Sequence, residues 1–202
     1  MRRIAAIFLL LAGVQAQAQQ AEPPNAILLI AKPSLLDPNF QQTVVLVTQT
    51  EDFSTVGVIL NRPTARKHEK SGETLYFGGP VMRGVVVALF RAERTPEAPA
   101  FHVLKDIYLS MHPANIDPLP GRPGQRYRLY DGFSGWVPRQ LESEMARDSW
   151  YVLPASEEIV FRANTEGMWR ELLEKAQKQK TPRARGLGPG LGLFGARDIL
   201  SI

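Results

Sequence analysis

"QTVVLVTQTEDFSTVGVILN", residues 42–61, holds two apolar, β-branched runs, 42–48 and 55–61, divided by the polar stretch 49–54. Valine, isoleucine and threonine lose side-chain freedom in a helix and pack well on a pleated surface. Two such runs around a short polar divider read as strands folding back on each other. Asn61-Arg62-Pro63 closes the second run, because proline has no amide to give to a ladder. An antiparallel hairpin is expected here, and it sets the class of the fold.

Upstream, "AILLIA" (26–31) is a short apolar run bounded by Lys32-Pro33, as in a buried strand, and prolines 33 and 38 then prevent a long regular element. Downstream, "TARKHEKSGET" (64–74) is polar without an apolar period and is expected to be an exposed loop. Strands are expected at 85–90, 106–111 and 126–133, with a surface loop over 91–100. The segment 112–124 carries four prolines and two glycines, which excludes a helix longer than a turn. Helices come late. Residues 137–148 place Val137, Leu141 and Met145 at a spacing of four, and Pro138 suits a first turn. After a strand stopped by Pro154, residues 165–180 set Met168, Trp169, Leu172, Leu173 and Ala176 on one stripe, with Glu171–Lys175 and Glu174–Lys178 as charge pairs on the other side. This helix should cap the core. The class is α+β, mainly antiparallel, with two or three flanking helices.

The chain has 202 residues, 44% hydrophobic and 22% charged, and its ends differ from its body. Arg2 and Arg3 precede the apolar run 4–14, and Ala16 and Ala18 offer small-residue cleavage sites. This is the form of a secretory signal peptide, its apolar core too short to span a bilayer. The reading is a signal peptide at 1–18, a leader at 19–26, one domain at 27–176 and a flexible, basic, Gly-rich tail at 177–202. A periplasmic or secreted protein is expected, cleaved after Ala16 or Ala18. The absence of cysteine suits either compartment and excludes cysteine nucleophiles and thiolate metal sites. The sequence pI near 9.5 comes from the tail. Residues 175–202 hold six basic side chains and one acid, a net of +5, whereas residues 19–174 hold 16 basic and 19 acidic residues, a net of −3.

Each motif with catalytic form lacks its context. "GLGLFG" (190–195) fits the dinucleotide fingerprint but follows a Pro-Gly tract and leaves no room for the helix that would receive a pyrophosphate. "GFSGW" (132–136) resembles a nucleophile elbow around Ser134, but Trp136 stands where that tight turn requires glycine. His68, His102 and His112 lie in or beside polar loops, with no carboxylate at metal-ligand spacing. Glu142 and Glu144 read as exposed charge rather than an acid–base pair. In "YFGGPVMRG" (76–84), Gly78-Gly79-Pro80 lacks the Lys-Ser/Thr of a phosphate loop, so a bend or close backbone approach is expected; the alternative is an anion held by Arg83 beside glycine amides.

Taken in order, "LLIAKPSLLDPNFQQTVVLV", "GVILNRPT", "YFGGPV", "GFSGWVPRQLESEMARDSWYVLPA" and "MWRELLEK" resemble the YqgE/AlgH family of bacterial proteins over about residues 27–175. The resemblance implies a compact α+β domain with a bifurcated or partly barrel-like sheet. The family is labelled a transcriptional regulator and has no settled enzymatic activity. Its characteristic positions here are Pro33, Asp37, Asn61, Arg62, Pro63, Gly78, Gly79, Pro80, Gly135, Trp136, Gln140 and Leu141, mostly turn formers or core anchors. Two helices usual in relatives, before the Gly-Gly-Pro turn and before the Gly-Trp motif, are replaced here by the polar 64–74 and the proline-rich 113–124.

The leading expectation is an exported, non-enzymatic binding or accessory protein, with Asn61, Arg62, Gly78, Gly79, Arg83, Trp136 and Gln140 as candidate binding residues. No catalytic residue, metal or cofactor is expected. The partner would be a protein or a small ligand, and the basic tail could add weak contact with a membrane surface. The alternatives are a cytoplasmic DNA-associated regulator, which an exported protein could not be, and an enzyme whose site carries no recognisable motif.

Overall fold

The structure, a computed structural model, describes residues 26–180. The expected signal peptide and leader up to residue 25, the expected tail beyond 180 and the dinucleotide-like "GLGLFG" lie outside the described residues. The expected hairpin is present. Strands β2 (Val44–Gln49) and β3 (Thr55–Ile59) pair antiparallel, Leu46 opposite Val58, around a turn in which Thr50 N donates to Ser54 O and Phe53 N to Thr50 O. Strand β1 (Ile27–Ala31) pairs with β2 on one edge and with β10 (Trp150–Pro154) on the other.

The sheet grows from the other side of β3 through β9 (Tyr127–Trp136), β6 (Val81–Arg91), β8 (Ile107–Ser110) and β7 (Phe101–Leu104). It forks at β9. Ser134–Trp136 pair with β3, whereas Tyr130 and Asp131 run parallel to β5 (Thr74–Phe77), which pairs in turn with β4 (Pro63–Lys67). Every other strand pair is antiparallel. The result is an open, mostly antiparallel, forked sheet of the α+β class.

Both faces of the central strands are covered, which is why their sequences read as unbroken apolar runs rather than alternating ones. Leu28, Ile30, Val44 and Leu46 meet Met168, Leu172 and Ala176 of α4 (Met168–Lys180) on one face. Leu29, Ala31, Val45 and Val47 meet Trp136, Trp150 and Leu141 on the other, where Leu141 belongs to α2 (Gln140–Ala146). Two one-turn helices, α1 (Pro113–Ile116) and α3 (Glu157–Val160), complete the set. α4 caps the core along the expected stripe, burying about 1.5–3 kcal/mol for each large apolar side chain. Among the described residues no helix is long and apolar enough to cross a membrane.

Several expectations are corrected. Residues 64–74 form the hairpin β4–β5 rather than a loop; Thr64 Oγ1 bonds Leu75 O, His68 N bonds Glu73 O, and β4 is too exposed to leave an apolar signature. β6 begins at Val81, not Val85, and β9 continues to Trp136, so Ser134 lies within a strand and not in a strand-to-helix turn. β7 and α3 have too few residues to show a period. α2 starts only at Gln140, because Arg139 adopts a left-handed conformation (φ 68°) that breaks helical continuity, and Val137 is left 67% exposed. Glu171 pairs with Arg162 at 2.6 Å and 3.1 Å, an ion pair from outside its own helix.

Candidate functional site

The turn after β3 carries two polar side chains that act as braces. Asn61 Oδ1 accepts from Val44 N (2.8 Å) and its Nδ2 donates to Gln42 O (2.9 Å), continuing the β2–β3 ladder with side-chain bonds. Arg62 donates to Asn39 O (2.7 Å) and Gln41 O (2.9 Å), so one guanidinium ties down two carbonyls of the turn-rich 37–42 segment. Burial pulls this guanidinium below the ordinary arginine range, with Asp37 opposing the shift.

The guanidinium carbon of Arg62 lies 5.6 Å from the ring centre of Phe77, and that of Arg83 lies 4.9 Å from it. Gly78 and Gly79 follow directly. The Gly78 carbonyl accepts from Ile59 N (3.0 Å) and Ser134 Oγ (2.9 Å), tying β3 to β9 at the fork. A Cβ at Gly78 would stand 2.1 Å from Gly132 O, and one on Gly79 (φ 150°) would stand 2.4 Å from Phe133 O. The glycines permit a close backbone approach, the plain reading of this segment.

Arg83 does meet an anion, but one supplied by the protein. Asp131, 1% exposed, accepts at Oδ2 from Arg66 Nη1 (2.6 Å) and from Arg83 Nε (3.1 Å), and at Oδ1 from Gly84 N (2.7 Å). Burial alone would raise its carboxyl; the Gly84 amide, Arg83 and Arg66 outweigh that and hold it below the usual carboxylate range. Arg66 and Arg83 are 56% and 55% exposed, so a buried carboxylate carries two guanidiniums at the surface.

Trp136 and Gln140 gather elsewhere. The indole N–H groups of Trp136 and Trp150 both donate to Glu144 Oε2, at 3.1 Å and 2.9 Å, and Phe40 packs against both rings. Gln140 Oε1 accepts from Val137 N, and its Nε2 donates to Glu144 Oε1 at 3.4 Å. Glu144 is thus a half-buried acceptor for two core tryptophans, not the exposed charge that its position suggested.

The structure therefore draws Arg62, Gly78, Gly79 and Arg83 together around Phe77, keeps Asn61 on the adjoining turn, and leaves Trp136 and Gln140 in a separate cluster. Arg66 and Asp131 escaped the sequence reading, and Glu144 entered it only as exposed charge. One signal was available for Asp131: a lone acid inside the expected strand 126–133 must be paired if buried.

Ser134 and the three histidines are each engaged in the fold. Ser134 is fully buried and donates to Gly78 O. His68 Nδ1 bonds Ser71 Oγ (2.9 Å), His102 stacks on Tyr108, and His112 Nδ1 accepts from Ala114 N as the cap of α1. Among the described residues no group of three or more His, Asp or Glu is placed to hold a metal ion. What the arginine-flanked surface can do is bind an oxyanion through planar, charge-assisted hydrogen bonds.

Comparison with known proteins agrees with the fold. The AlgH-like family matches residues 28–181. A UPF0301 protein of Myxococcus xanthus is 32% identical over 183 residues, covering 83% of this chain and 94% of that protein. One from Mycobacterium tuberculosis is 32% identical over 162 residues, covering 73% and 80%. The solution structure of the AlgH protein from Pseudomonas aeruginosa superposes with a TM-score of 0.62 at 22% identity, covering 80% of this chain and 94% of that one. The crystal structure of protein DIP2367 from Corynebacterium diphtheriae gives 0.60 at 22% identity, covering 77% and 87%.

Proposed function

The chain belongs to the YqgE/AlgH family, and from that premise we propose that it works as an exported, non-enzymatic binding or accessory protein whose binding surface is the arginine-flanked fork. Export is supported by the order of charged, apolar and small residues at 1–18. The observation that carries the binding role is a contrast in exposure. Arg66 and Arg83 stand more than half exposed over Asp131, whereas Ser134, the one residue in a nucleophile-like motif, is fully buried with its hydroxyl committed to Gly78 O. Arg62 and Asn61 hold the neighbouring turn, so the surface rests on a braced scaffold.

Cell fractionation with N-terminal sequencing tests the location. The expected result is an extracytoplasmic protein beginning after Ala16 or Ala18; recovery from the cytosol with Met1 intact refutes it. Turnover of an ester or phosphoester substrate by purified protein, abolished by Ser134→Ala, would refute the non-enzymatic part.

A further inference from the structure

We propose that the bulge at Met82–Arg83, together with Arg66, is a docking site for an acidic protein segment, one that presents carboxylate side chains next to apolar ones. This rests on the reading of the fork as a binding surface and names the class of partner.

The bulge is large. Val81 pairs with Phe133 and Val86 with Asp131, so residues 82–85 of β6 stand against the single Gly132 of β9. Met82 (φ 49°) and Gly84 (φ 93°) hold the left-handed conformations that throw the segment outward, and Met82 is 54% exposed. A bulge of this kind re-aims side chains, and a non-glycine residue at positive φ persists only where its surroundings hold it. Here Asp131 does so, through its bond from Gly84 N.

The same carboxylate fixes both guanidiniums before any ligand arrives, which lowers the entropy lost on binding. Arg66 Nε and Nη2 and Arg83 Nη1 make no hydrogen bond among the described residues, which leaves planar donors for a second carboxylate. Methionine and arginine are enriched in protein–protein interfaces, and Phe77 backs Arg83 from below.

Charge selects the partner. Arg66 and Arg83 against Asp131 give the patch a net of +1, and the neighbouring Arg62 is countered by Asp37, on a body whose net is −3. A few fixed cations on an acidic body suit a short acidic motif, whereas a nucleic acid needs a row of phosphate contacts and a basic face.

The test is fluorescence anisotropy with the full chain and arrays of short labelled peptides mixing Asp/Glu with Leu, beside Asn/Gln counterparts and single-stranded DNA. Acidic peptides should bind, and their amide counterparts should bind at least about tenfold more weakly. Met82→Asp keeps every bond to Asp131, suits a left-handed position, and should weaken acidic-peptide binding by at least about tenfold through like-charge repulsion. Arg66→Gln/Arg83→Gln/Asp131→Asn, which removes the buried charge with its partners, should do the same. Absence of acidic-peptide binding, equal binding of the amide peptides, indifference to Met82→Asp, or tighter binding of DNA at physiological salt would each overturn the proposal. The assay does not depend on compartment: cytosolic recovery with Met1 intact would sink the export reading alone, and indifference to carboxylates would sink this one alone.

Discussion

Asp131→Asn is the sharpest probe of the fork. The carboxylate is 1% exposed and accepts from two guanidiniums and the Gly84 amide. Asparagine can keep the bond from Gly84 N at its Oδ1, but its amide nitrogen then faces donors on Arg66 and Arg83. Two charge-assisted bonds are lost, each worth about 1.5–3 kcal/mol when enclosed. Both guanidiniums are more than half exposed and regain water, which discounts the loss. The net expectation is a destabilisation of about 2–3 kcal/mol at neutral pH, a large share of the roughly 5–15 kcal/mol typical of a domain. Urea unfolding followed by tryptophan fluorescence measures it directly, since Trp136 and Trp150 are buried. Acid gives a second readout. The folded-state pKa is depressed, so the carboxylate's contribution is fully present above the unfolded value near 3.9 and is lost as pH falls through the folded one. The gap between wild type and variant should therefore close below about pH 4. A difference under about 0.5 kcal/mol at neutral pH, or a gap that stays constant into acid, would refute the assignment of Asp131 as the anchor of the two arginines.

Other substitutions probe the scaffold. Arg139→Gly removes the strain of an exposed non-glycine residue at φ 68° and should stabilise by about 0.5–1 kcal/mol after the entropy of the unfolded glycine is subtracted, read as a rise in Tm; an unchanged or lower Tm counts against the left-handed cap. Glu144→Ala leaves the indole N–H groups of two buried tryptophans without an acceptor and should cost about 2–4 kcal/mol, with a changed near-UV circular dichroism spectrum; a spectrum and stability like wild type would refute the shared-acceptor geometry. Leu172→Ala opens a cavity between α4 and the sheet and should cost about 2–5 kcal/mol in the same urea assay, whereas a surface helix would lose almost nothing.

The legible part of this fold is the part built from local patterns. The runs at 26–31, 42–48 and 55–61 announce strands because both of their faces are buried, and the stripe on α4 announces a helix because its period of 3.6 survives over three turns. β4 was invisible for the opposite reason: it lies almost wholly in solvent, so nothing selects an alternating pattern, and its pairing with β5 adds polar side-chain bonds from Thr64 and Lys67 that leave no periodic signature. Arg83 was legible as a cation beside glycines. Its partner was not, because Asp131 is 48 residues away and reaches it only through the pairing of β6 with β9.

Chain order and residue type were enough to establish an antiparallel α+β domain, a capping helix and turns where Gly78-Gly79-Pro80 and Asn61-Arg62-Pro63 stand, because those features follow from periodicity and from the stereochemistry of single residues. The grouping of Arg66, Arg83 and Asp131 was decided by the tertiary fold alone. Whether a polar side chain braces the interior or faces a partner depends on which distant strands are brought beside it, and at β9 one strand divides its edge between β3 and β5, a pairing that no local pattern encodes.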